Sequence, residues 1–146
     1  MEDLDVMRHS AAHVMAAAVC KLYPNVKLDI GPSTDDGFYY DFDLEHRLSP
    51  EDFPAIEAEM ERLIKAALPF ERREVTRAEA AELMAGQPYK LDRLSDIPED
   101  ETVSLYTCGD FTDLCRGPHV ATTADIGAVK LTSVAGSYYH GDENNP

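Results

Sequence analysis

The sequence lacks any apolar run close to the roughly 20 residues that a membrane helix requires, and its Met-Glu-Asp-Leu-Asp start has no basic n-region. Neither a membrane span nor a secretory leader is expected, and the chain is read as cytoplasmic. It has only three cysteines, Cys20, Cys108 and Cys115, an odd number without framework spacing. That argues against a disulfide-stapled secreted domain and for reduced thiols. Basic residues are scarce: 13 Lys and Arg stand against 28 Asp and Glu, a formal charge of −15. Such a balance disfavours a strong independent grip on a polyanion, so any work on nucleic acid must draw most of its backbone affinity from elsewhere. Internal repeats and low-complexity segments are also missing.

What remains is a chain of 146 residues, 44% hydrophobic and 28% charged. It is long enough to bury a core and is read as one domain over 1–146. A first helix is expected over Asp5 to Tyr23, capped by Asp3 or Asp5, with Val6, Val14, Ala17, Ala18 and Leu22 as its core stripe and Pro24 as its stop. Two β-rich runs between Val26 and Phe42, divided by Pro, Asp and Gly, predict a hairpin. Because side chains alternate faces, Tyr39 and Tyr40 cannot both enter the core, and one of them is expected to line a cleft. Ser49-Pro50-Glu51-Asp52 opens a helix to about Leu68 with a stripe of Ile56, Met60, Leu63, Ile64 and Ala67.

Further along, a strand is predicted near Phe70 to Val75, and the capping box Thr76-Arg77-Ala78-Glu79 starts a shorter helix ending at Gly86. Tyr89 to Ile97 reads as turn and helix. Strands follow at Val103 to Cys108, Phe111 to Leu114 and Ala128 to Tyr139. This order predicts the α+β class, an antiparallel sheet with helices packed on one face.

The chemistry concentrates in two places. His9 and His13 stand four apart on the first helix and so share a face. Asp113-Leu114-Cys115-Arg116-Gly117-Pro118-His119 offers a thiol and a third imidazole at the same spacing around a Gly-Pro turn. We expect the two segments to meet, with the small residues Ser10, Ala11 and Ala12 leaving room before the rings. One sulfur and three nitrogens make a tetrahedral zinc set. The same groups also suit metal-free hydrolysis, in which a histidine takes a proton from water and a cation stabilises the oxyanion. Taken singly, each histidine is more ordinarily a hydrogen-bonded residue and Cys115 a small buried hydrophobe; His46 and His140 lie in polar surroundings and are read as solvent-facing. The two pairs together move the reading away from this, without choosing between metal and acid–base work.

Taken together, His9-Ser10-Ala11-Ala12-His13, Ile30-Gly31-Pro32, Gly37-Phe38-Tyr39-Tyr40-Asp41, Tyr89-Lys90, Cys115-Arg116-Gly117-Pro118-His119 and Ala135-Gly136-Ser137-Tyr138-Tyr139 resemble the editing domain of bacterial-type threonyl-tRNA synthetases. That domain is shared in outline with alanyl-tRNA synthetases and their free-standing editing relatives. The resemblance runs in order over essentially the whole chain. It implies hydrolysis of serine wrongly attached to threonine tRNA. A synthesis site discriminates against a missing methyl by only about 1–3 kcal/mol, so a second site must remove the error.

Carried over by motif, the resemblance implies His9, His13, Lys90, Asp113, Cys115 and His119 as catalytic residues and Tyr40 and Arg116 as substrate-binding ones. Lys90 and His9 would position and deprotonate the attacking water, His119 and Cys115 would contact the terminal adenosine or orient its ribose, and Asp113 would fix Lys90 or the substrate amine. Metal-free catalysis with no cofactor is expected, since an ammonium in the pocket repels a dication; the alternative is zinc at His9, His13, Cys115 and His119. The implied partners are the acceptor end of tRNA(Thr) and the remaining synthetase domains, with ATP binding belonging to the full-length enzyme. Arg72, Arg73, Arg77 and Arg116 offer local contacts to the acceptor end. The chain is read as an excised, monomeric fragment of the larger enzyme. Rival readings are a zinc-dependent stand-alone alanyl-type deacylase, a non-catalytic tRNA-binding module and a zinc-stabilised structural domain.

Overall fold

The computed structural model describes residues 3–31, 37–43, 48–98, 101–115, 118–127 and 129–131. Helix α1 (Asp3–Leu22) is rich in alanine and meets no breaker before Pro24. It is already running at Asp3, so Asp5 lies within it and does not cap it. Its core contact is also wider than the expected stripe. Ser10 to Ala16, Ala18 and Val19 are all buried, whereas Leu22 is 39% exposed. A helix with neighbours on more than one side loses the single apolar face that a stripe presumes.

Strands β1 (Lys27–Leu28) and β2 (Phe42–Asp43) form the expected hairpin, much shortened. Backbone bonds from Asp29 to the Asp41 carbonyl and from Asp41 to the Ile30 carbonyl extend it. The Ser49 start is present as a 3-10 turn over Pro50–Asp52, which leads into α2 (Phe53–Lys65). Ile56, Met60 and Leu63 are its buried residues. Ala67 is exposed and adopts φ +51, a left-handed residue that ends the helix rather than extending its stripe.

Strand β3 (Phe70–Val75) is the edge of a three-stranded antiparallel sheet in the order β3-β4-β5. Strands β4 (Val103–Cys108) and β5 (Phe111–Leu114) are joined through Gly109 at φ +60, the kind of position a two-residue hairpin turn reserves for glycine. These three strands have the bounds expected from the sequence. Helix α3 (Arg77–Leu83) begins with the predicted capping box, Thr76 Oγ1 accepting from Glu79 N at 3.1 Å. It stops short of Gly86. Helix α4 (Pro88–Asp96) follows, and Arg77 donates to the carbonyls of Leu94 and Ile97 at its far end. That guanidinium is committed to α4, not to an external phosphate.

The α+β class stands, with antiparallel strands throughout. Among the described residues the strands form two small sheets rather than one. One core unites α1, α2, the hairpin and the 3-10 turn Thr123–Ile126; a smaller one unites Ala80, Leu94 and Val103 with Val75 and Leu114. Every residue of β4 except Thr107 is buried, as befits a strand covered on both sides. Of the expected strand from Ala128 to Tyr139, residues 129–131 are described and form no strand; the rest of it, together with His46 and His140, lies outside the described residues.

Candidate active site

Strand register decides which residues face α1. Phe70 pairs with Cys108 and Cys108 with Phe111, while Arg72 pairs with Tyr106 and Tyr106 with Asp113. Alternation puts these two rows on one face. Phe70 and Phe111 meet the His13 ring edge-on, at centroid distances of 5.2 and 4.9 Å. Tyr106 meets His119 in the same way at 4.5 Å. Just past β5, Cys115 is held to β4 twice: its N donates to the Ser104 carbonyl at 3.3 Å, and Ser104 Oγ donates to its carbonyl at 2.6 Å. The helical spacing of His9 and His13 thus meets a sheet face carrying Asp113 and the start of the Cys115 turn.

Helix α4 brings Lys90 from the side. It is fastened to the hairpin by Arg93, whose Nε and Nη2 donate to the Asp29 carboxylate at 2.8 and 3.0 Å, and by Tyr89, which donates to Asp43 at 2.5 Å. Gln87 adds bonds with Leu28 N and the Val26 carbonyl. So held, Lys90 Nζ lies 2.8 Å from Asp113 Oδ1, with both side chains 6% exposed or less. Among the described residues the Oδ1 atom has no partner of hydrogen-bond geometry, so the pair is an ion contact rather than a directed bond. Asp113 Oδ2 accepts from the Tyr40 hydroxyl at 2.8 Å. Its neighbour Tyr39, which like Tyr40 lies before β2, is 44% exposed, so Tyr40 is the one of the two that lines the cleft. Gly31 makes room for Tyr40, because a Cβ there would lie 2.2 Å from the ring.

His9, His13, Tyr40, Lys90, Asp113, Cys115 and His119 all line one cavity of about 360 Å3, together with Ile30, Gly31 and Leu114. Arg116 lies outside the described residues. Cys115 Sγ is 3.4 Å from Nε2 of both His9 and His119, whose rings are 4.7 Å apart. Burial lowers the pKa of all three histidines: His13 to about 4, His119 to about 2 with His13 and His9 adding repulsion, and His9 by less because the Pro118 carbonyl opposes the effect. All three are neutral near pH 7, and a neutral imidazole can accept a proton. Burial and the Asp113 carboxylate hold the Tyr40 phenol well above its ordinary value, so it stays a donor. Among the described residues, neither nitrogen of the buried His13 ring has a hydrogen-bond partner.

The donor chemistry also fits a borderline-soft cation. One nitrogen each from His9 and His119 and the sulfur of Cys115 lie within 4.8 Å of one another, and His13 is not part of that trio. Two participants escaped the sequence reading. Ser10, given no role there beyond a small neighbour within a motif, lies 3.0 Å from His119 Nδ1, and Gly31, quoted in the Ile30-Gly31-Pro32 motif without a role, makes room for Tyr40. A buried serine in an otherwise apolar run, Ser10-Ala11-Ala12, was the available signal.

The family described as "Threonyl and Alanyl tRNA synthetase second additional domain" matches residues 103–146. Over all 146 residues the chain is 57% identical to the threonine–tRNA ligase of Dehalococcoides mccartyi strain CBDB1, of which it covers 25%. It is 56% identical to that of Clostridioides difficile strain 630 and 55% to that of Rubrobacter xylanophilus, with 99% of the chain covered each time and 23% and 22% of the relative. Thus the chain spans about a quarter of the length of the curated relatives it matches. No described helix is long and apolar enough to cross a membrane. The fold is an α+β mixture consistent with the threonyl and alanyl synthetase accessory domain that matches residues 103–146. Together with the similarity to threonine–tRNA ligases over the whole chain, it supports the editing-domain resemblance that the motifs carry.

Proposed function

We propose that this chain hydrolyses the aminoacyl ester of seryl-tRNA(Thr), as the cytoplasmic editing domain of a threonine–tRNA ligase. The observation that carries the reading is the single cavity in which neutral imidazoles face a buried Lys90–Asp113 pair. Water attacks the ester carbonyl, with His9 taking its proton, and the Lys90 ammonium stabilises the oxyanion. Collapse breaks the bond to the ribose oxygen, which takes up a proton, and leaves free serine and intact tRNA. Tyr40, pinned by Asp113 and seated against Gly31, forms a wall that spares threonine by leaving no space for its extra methyl.

With a charge of −15, the domain depends on the remaining synthetase domains to bring the tRNA. Arg116 contributes a local contact to the acceptor end. We take the chemistry to be metal-free, because Lys90 places an ammonium in the cavity. The 4.8 Å trio favours a second reading in which His9, Cys115 and His119 hold a zinc-class ion that supplies an activated water.

The test is deacylation of seryl-tRNA(Thr) and threonyl-tRNA(Thr) by the purified chain and a His13→Ala variant, with metal content assayed on the same preparation. Selective loss of serine, abolished in the variant, is expected. Absence of turnover with both full tRNA and a concentrated minihelix would sink the hydrolase reading. Stoichiometric metal, lost together with activity under a chelator, would select the second reading.

A further inference from the structure

Ser10 follows His9 on α1, and its side chain is fully buried. Its Oγ lies 2.8 Å from the Val6 carbonyl, 3.0 Å from Val120 N and 3.0 Å from His119 Nδ1. A serine hydroxyl has one proton to donate and two lone pairs to receive. The Val6 carbonyl can only accept, and the Val120 N–H can only donate. The hydroxyl proton therefore goes to Val6 and one lone pair to Val120, which leaves the second lone pair for His119 Nδ1. In the reverse arrangement Ser10 would donate to a bare Nδ1 and oppose its own lone pairs to the Val6 oxygen at 2.8 Å with no proton between.

We infer that Ser10 is a positioning residue that holds His119 as the Nδ1–H tautomer, with the bare Nε2 directed at Cys115 Sγ. A neutral imidazole carries one proton, so Nε2, 3.4 Å from that sulfur, meets the cavity as an acceptor. His119 then receives groups that donate, a hydroxyl or an ammonium of the bound molecule, and cannot stabilise an oxyanion. That duty falls to Lys90. The catalytic part of this inference rests on the hydrolase reading above; the tautomer does not.

The test is a long-range proton–nitrogen NMR correlation on the nitrogen-15-labelled chain at neutral pH, which identifies the protonated nitrogen of His119. The wild type shows Nδ1–H. Ser10→Ala populates the Nε2–H form, and Ser10→Thr, which keeps the hydroxyl, restores the wild-type pattern. In seryl-tRNA hydrolysis, kcat falls about 10–100-fold in Ser10→Ala with KM little changed, and recovers in Ser10→Thr. An Nε2–H signal in the wild type, or an unchanged tautomer in folded Ser10→Ala, overturns the inference. Because the wild-type spectrum needs no variant, it decides the matter even if Ser10→Ala does not fold. A wild type with the expected spectrum but no hydrolysis refutes the functional reading and leaves the tautomer standing.

Discussion

The two faces of the three-stranded sheet are cut from the same strands and differ in almost everything else. Toward α1 it presents Phe70, Arg72, Tyr106 and Asp113, and with them come a buried ion pair, orphaned imidazole nitrogens and a cavity. Away from it, Val75, Val103, Leu105 and Leu114 share the opposite face, and three of them join Ala80 and Leu94 in an apolar cluster. One face retains polar groups at a cost to stability, and the other supplies stability without chemistry. A strand's two-residue period is what lets a single segment do both.

The comparison breaks most sharply at Lys90. Lys90→Ala removes the cation from the cavity, and seryl-tRNA hydrolysis should fall about 10²–10⁴-fold. The variant also leaves Asp113 buried without its ion partner, which should lower unfolding free energy by about 3–5 kcal/mol in urea titration. Hydrolysis left intact would remove Lys90 from the chemistry. On the other face, Leu105→Ala should cost about 2–5 kcal/mol of stability while kcat in the folded fraction stays within about twofold. A kcat that dropped with it would mean that the faces are coupled.

His13 sharpens the contrast through pH. Its folded pKa of about 4 lies below the unfolded value near 6.5, so between those values the unfolded chain binds more protons. Stability is therefore full above pH 6.5 and declines as pH falls toward 4, by roughly 3 kcal/mol for this group. His13→Phe should flatten that part of the melting-temperature profile and abolish hydrolysis. Gly31→Ala forces Tyr40 to move, and a loss of roughly tenfold in serine-over-threonine selectivity is expected, about 1.4 kcal/mol. The smallest effect belongs to Arg72→Ala, which breaks an exposed pair with Glu74 and should change stability by less than about 1 kcal/mol.

Much of this was legible in advance where one physical rule acted alone. Strand 103–108 followed from a run rich in β-branched and aromatic residues, strands 70–75 and 111–114 were placed with the right bounds, and the Thr76 box marked its helix start. Convergence of His9 with Cys115 and His119 was legible from matched spacing. The parts that failed are those in which several neighbours act together. Helix α1 is covered on several sides, so a one-stripe reading placed Leu22 inside. Lys90 and Tyr40 entered through family resemblance, because nothing in their local pattern tells of an ion contact and a hydrogen bond made to one carboxylate. Arg77 looked like a free cation until the end of α4 supplied carbonyls for it. Ser10 needed a partner more than a hundred residues away to acquire a role.

That separation has a kinetic consequence. The bonds from Ser10 to His119 and Val120 close loops of 109 and 110 residues, among the longest the described chain makes. Contacts so distant in sequence are slow to form, because loop-closure entropy must be overcome before they reward it. On a ribosome, α1 emerges early and waits for the turn that completes it. Competence then arrives in one late step, and a nascent or partly unfolded chain holds its histidines with no pocket around them.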